Sequence, residues 1–133
     1  MKENADSFFS ITLLLKGNLP IRGLPFKRIK DAVLGKDYRL SLVIIGDARS
    51  KELNRAFRKK NVPTDILSFP LTEKSGEIFL NPVAAKREAV KFGRTEKNFL
   101  QFLFIHGLLH LEGLKHGSTM EREESKFRKR FGI

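Results

Sequence analysis

The chain has 133 residues, 26 Lys and Arg against 15 Asp and Glu, a formal net charge of +11 and no cysteine. That length suits one domain with its own core, and the missing cysteines exclude a disulfide framework and a thiolate metal site, as fits a reducing interior. No run of roughly eighteen apolar residues offers a membrane helix and the start M-K-E-N-A-D is unlike a signal peptide, so a cytoplasmic protein with no membrane role is expected.

The residues from Ser7 to Leu15, rich in aromatic and β-branched types, predict a first strand, and Gly17, Pro20, Gly23 and Pro25 predict a loop after it. Phe26, Ile29, Val33 and Leu34 recur at the helical interval and predict a helix over 26–34, closed by Gly35, with Lys27, Arg28 and Lys30 on its wet side. Tyr38 to Ile45 predicts a central strand, since its end is apolar on both faces. The next helix, capped by Asp47 or Ser50, is expected to bury Leu53 and Phe57. It carries the densest basic patch of the chain, Lys51, Arg55, Arg58, Lys59 and Lys60.

A proline turn then leads to short strands over 65–69 and 76–80, joined as a hairpin or by a loop. Asn81 and Pro82 are an N-cap and first-turn pair for a helix that Gly93 ends. Thr95 caps a helix that is apolar almost all round from Phe99, and Ser118 or Thr119 caps a last helix with an acidic start and a basic end. The expected fold is mixed α+β: one domain over 1–133, a sheet of about four strands packed with helices, and a central apolar helix.

All three histidines lie at the end of that helix, in H-G-L-L-H-L-E-G-L-K-H from His106 to His116. His106 and His110 are four apart, so they share a helix face and can hold one ion from one side. His116 needs a chain reversal, and Gly113 in a left-handed conformation would supply it. Any one of these histidines alone reads as a core residue with one hydrogen bond; three at this spacing read as a metal site. The skeleton H-x-x-x-H-x-x-G-x-x-H matches the metzincin zinc site, with Gly107 replacing the Glu that acts there as general base. The metal geometry is kept and the peptidase base is missing. One divalent metal is expected, zinc above all, with nickel, copper and iron also suited to imidazole.

With the N-V-P-T-D-I-L-S-F-P segment, residues 61–70, beside the histidine stretch, the chain resembles the YbeY family, bacterial metal-dependent endoribonucleases of ribosomal RNA maturation. The family's H-G-x-L-H-L-x-G-Y-D-H corresponds to His106 to His116, its Arg before p-T-D-V-L-S-F-P to Arg58 before Pro63 to Pro70, and its G-D-I to Gly76, Glu77 and Ile78. Leu114 and Lys115 depart from the family's Tyr and Asp. A carboxylate at 115 would orient the third ligand, and Lys115 cannot.

The resemblance implies cleavage of single-stranded RNA, with ribosomal RNA precursors as substrate and the small ribosomal subunit as partner. It makes Arg58 the candidate catalytic contact to phosphate. The charge excess itself points to a polyanion, nucleic acid rather than membrane, because no stretch joins a basic face to exposed aromatic anchors. Lys51, Arg55, Arg58, Lys59 and Lys60 are the candidate RNA-binding residues, with Lys86 and Arg87 as further ones. Asp65 and Ser68 are candidates to line the cleft, while Glu112 lies about 240° round the helix from His106 and reads as solvated. Tyr38 and the phenylalanines are expected mostly in the core, which leaves little for base stacking. Two other functions fit the residues: a metallohydrolase acting on another bond, and a non-catalytic ribosome assembly factor whose metal is structural.

Overall fold

The computed structural model describes the backbone of residues 2–5 and all of residues 8–133. In chain order the elements are β1 (Lys2–Ala5), β2 (Phe9–Leu13), α1 (Phe26–Leu34), β3 (Arg39–Ile44), α2 (Asp47–Arg58), β4 (Ile66–Thr72), β5 (Ser75–Leu80), α3 (Pro82–Lys91), α4 (Glu96–Leu111) and α5 (Ser118–Phe131). The strand expected from Ser7 begins outside the described residues, and its described part is β2. The four expected strands form, and β1 adds a fifth at one edge, in the order β1-β2-β3-β5-β4. The three inner strands run parallel, β1 and β4 antiparallel to their neighbours.

Alternation sorts the sheet into two faces. Leu40, Leu42, Ile44, Gly76, Ile78 and Leu80 are buried on one face, where α4 packs on β4 and β5. α1, α3 and α5 pack in turn against α4. Phe99, Leu100, Leu103, Phe104, Ile105, Leu108 and Leu109 are buried around the α4 circumference, so this helix is central, as its all-round apolar sequence predicts. Phe26 of α1 meets Phe104 edge-to-face at 4.9 Å.

Gly107 sets how closely α4 lies on the sheet. A Cβ there would stand 2.8 Å from Ile66 Cδ1 and 2.9 Å from Ser68 Oγ. The position that carries Glu in the peptidase pattern therefore has no room for a side chain. Ser68 Oγ donates to the Gly107 carbonyl at 3.2 Å, pinning β4 to the helix.

Several expectations change. Lys30 is not on the wet side of α1: it is buried, with its ammonium reaching Asp31 at 3.2 Å and the Lys36 carbonyl at 3.3 Å, as a long side chain with a polar tip can. Neither Asp47 nor Ser50 caps α2, which starts after Gly46. Its buried residues are Ser50 and Asn54 rather than Leu53 and Phe57; Leu53 is half-buried and Phe57 is 66% exposed. That face meets a loop with backbone groups to satisfy, so it needs polar partners. Ser50 Oγ donates to the Thr64 carbonyl at 2.6 Å and accepts from its N–H at 2.7 Å, and Asn54 donates to the Val62 carbonyl at 2.9 Å. α5 likewise begins at Ser118 after Gly117, without a side-chain cap.

Candidate metal centre and phosphate cleft

The site begins with the end of α4. Thr95 and Asn81 cap α4 and α3 as expected, and α4 stops at Leu111, with Gly113 at φ +100°. That left-handed residue turns the chain so that His116 returns to His106 and His110. One nitrogen from each of the three imidazoles lies within 4.8 Å of the others. His106 Nε2 and His110 Nε2 are 3.0 Å apart. Nitrogens held at about 2.0–2.1 Å from one tetrahedral zinc would be separated by roughly 3.3 Å, so the cluster is close to ligand spacing.

The tautomers fit as well. Glu124 of α5 hydrogen-bonds His106 Nδ1, and a carboxylate in that contact accepts, so Nδ1 carries the proton and the Nε2 lone pair faces the cluster. The His110 ring bonds the Leu114 backbone. Burial, then the proximity of the His106 and His116 rings, hold the His110 pKa below its ordinary value. A neutral imidazole is the form that binds metal. Three converging nitrogens with a carboxylate behind one of them suit a divalent ion.

These histidines line a cleft of about 410 Å³ together with Arg58, Thr64, Asp65, Ile66, Ser68 and Gly107. Arg58 is the last residue of α2, because Lys59 at φ +58° is left-handed and ends the helix. Ser50 and Asn54 hold the 62–64 loop, and Asn81 donates to the Thr64 carbonyl at 3.2 Å and to Asp47 Oδ1 at 2.9 Å. This polar latch fixes Asp65 opposite the histidines. Desolvation raises the Asp65 pKa, with Glu88 adding to it, against backbone hydrogen bonds and the pull of His106.

Arg58, Asp65 and Ser68 thus come together with the histidines, although Ser68 is engaged with Gly107. Lys51, Arg55, Lys59 and Lys60 are exposed on or beside α2 and do not line the cleft. Among the described residues none of these four, nor Arg58, stands in a salt bridge. The further candidates are engaged: Arg87 makes a two-bond contact with Asp47, each at 3.0 Å, and Lys86 meets Glu96 at 3.5 Å. Glu112 and Lys115 are exposed, as a solvated Glu112 predicts. Tyr38 is buried and unavailable for stacking.

Sequence reasoning misses Glu124. Its signal is periodicity: it lies four residues after buried Met120 and three before buried Phe127, on the inward stripe of α5. The carboxylate looked for at position 115 is supplied from α5 instead, to His106 rather than His116.

The model of the family described as endoribonuclease YbeY matches residues 26–131. A relative of that name from Thermotoga sp. (strain RQ2) is 35% identical over 95 residues, covering 70% of this chain and 63% of the relative. Another from Sulfurovum sp. (strain NBC37-1) is 37% identical over 107 residues, covering 71% of this chain and 73% of the relative. The chain thus aligns with less than two thirds of the Thermotoga relative's length. A Thermotoga maritima protein solved in solution superposes with a TM-score of 0.66 at 29% identity, covering 92% of this chain and 89% of that one. The family match spans the segment that carries the histidines, relatives and fold point the same way, and this chain belongs to the YbeY family.

Proposed function

We propose that this chain is a metal-dependent endoribonuclease that cleaves single-stranded RNA, with ribosomal RNA precursors as substrate, the small ribosomal subunit as the setting and the cytoplasm as the location. The observation that carries this reading is the convergence of three imidazoles and one arginine, outside any salt bridge among the described residues, in a single cleft of a basic protein. The names of the relatives supply the reaction class.

His106, His110 and His116 would hold the ion, zinc by ligand type, with Glu124 fixing the His106 ring. When bound, the ion supplies Lewis acidity to a phosphate oxygen or lowers the pKa of a water. The protein's own groups do the rest. Arg58 offers its planar donors to the phosphate as negative charge grows on it. Asp65 is the carboxylate among the cleft-lining residues and would take the proton of the attacking hydroxyl, from water or from the RNA's own 2′-position. Lys51, Arg55, Lys59 and Lys60 draw the RNA backbone in from outside.

His116→Ala tests this against an assembly factor with a structural metal. A catalytic site predicts lost RNA cleavage with melting temperature and RNA affinity retained. Loss of all three together would mean that the ion holds the C-terminal turn in place and that catalysis is not its role.

A further inference from the structure

Phe57 is not in the core. It is 66% exposed on the last turn of α2, while most other phenylalanines are buried or half-buried. A single exposed ring is ordinary. This one is braced: it meets Phe69 edge-to-face at 5.0 Å, and Phe69 meets Phe79 at 5.7 Å. The three rings form a ladder from α2 onto the sheet face turned away from α4, with Phe69 on the edge strand β4.

The ladder meets the cleft at the end of α2. Phe57 precedes Arg58, which lines the histidine cleft, whereas Phe69 stands on the opposite face of β4 from the cleft-lining Ser68. The chain thus places a braced, exposed ring one residue from the arginine aimed at phosphate. Arg55, Lys59 and Lys60 surround it in sequence, exposed and outside any salt bridge among the described residues. The exposed ring of Phe92 is different, because it stacks on Phe99 and has no cleft residue beside it.

An exposed ring on a segment rich in cations suits a polyanion that carries flat apolar groups along its backbone. Single-stranded RNA has that chemistry, with phosphates for the cations and unpaired bases for the ring, whereas a duplex keeps its base faces stacked internally. An apolar protein partner would leave the cations without a role. Resting on the RNA reading proposed above, we infer that Phe57 is a base-stacking subsite for the nucleotide next to the phosphate held at Arg58. It would favour single strands over duplex and tolerate any base, since every base has a π-face.

The test measures affinity of the full chain for a single-stranded RNA oligomer and for an abasic oligomer of equal length. Phe57→Ala should weaken binding of the base-bearing strand by roughly 5- to 150-fold and leave the abasic strand unchanged. Phe57→Leu, which keeps an apolar contact with Phe69 but no ring, should behave like alanine. The chain has no tryptophan, so Phe57→Trp introduces a single reporter, whose fluorescence the base-bearing strand should quench and the abasic strand should not. Equal affinity of parent and Phe57→Ala for the base-bearing strand overturns the subsite and leaves the RNA reading standing. So does equal loss for both strands, which would indicate a structural ring. A parent protein that binds neither strand at low salt overturns the RNA reading and the subsite with it.

Discussion

On one side of the cleft, α4 presents His106 and His110 from a helix buried on almost every face, and the closest approach of that helix to the sheet is set by a glycine. On the other, α2 presents Arg58 from a helix whose buried residues are Ser50 and Asn54, held by hydrogen bonds to a loop. The first wall is made by close packing, the second by a polar latch and exposed charge. Under the proposed function, the difference follows from what each must do. Metal ligands need fixed geometry, which a packed helix supplies before the ion arrives. A flexible strand of RNA needs attraction over a broad surface and a phosphate contact that adapts to it.

If this contrast holds, changes to the packed wall should be large and specific, and changes to the charged wall graded and dependent on salt. On the packed wall the largest effect is expected at Glu124. Glu124→Ala should weaken zinc binding by about 10- to 100-fold in a calorimetric titration, and Glu124→Gln, which keeps an acceptor for His106 Nδ1, should recover part of it. Equal affinity in all three proteins would remove Glu124 from the metal centre. Gly107→Ala should cost about 1–3 kcal/mol in denaturant unfolding, because its Cβ would meet Ile66 and Ser68 inside contact distance. An unchanged midpoint would show that α4 can lift off the sheet.

On the charged wall, replacing Lys59 and Lys60 by alanine should weaken single-stranded RNA a few-fold. It should also flatten the dependence of affinity on salt by about 0.7 per lost phosphate contact. A parallel salt plot would place the RNA elsewhere. The smallest effect is on stability at Asp65. Burial puts its folded pKa above the unfolded value, so ionising it costs stability as pH rises through that window, with no cost below it. Asp65→Asn should therefore melt a few degrees higher than the parent at pH 7 and at the same temperature near pH 3, while losing cleavage. A lower melting temperature at pH 7 would contradict the buried-carboxylate reading.

Much of the packed wall was legible in sequence, because its cues are local. The apolar run from Phe99 reads as a buried helix, the His106 and His110 spacing as one face, and Gly113 as a reversal, and each takes that form. The helix over 26–34 and the Asn81–Pro82 start are equally local. The charged wall was less so. Leu53 and Phe57 have helical spacing, yet the buried face of α2 is the one that meets a loop, Ser50 bonding Thr64 14 residues on and Asn54 bonding Val62. A polar buried face cannot be read from hydrophobic periodicity. Glu124 was hidden for a related reason: several glutamates start α5, and only the tertiary position of Met120 and Phe127 tells which one turns inward.

The most direct test of a metal-dependent ribonuclease is cleavage of a labelled single-stranded RNA by zinc-loaded protein, beside chelated protein and Arg58→Ala, with circular dichroism confirming that each is folded. Chelation should remove cleavage, and Arg58→Ala should lower turnover by about 10²–10³. Equal cleavage by all three folded proteins would contradict this reading.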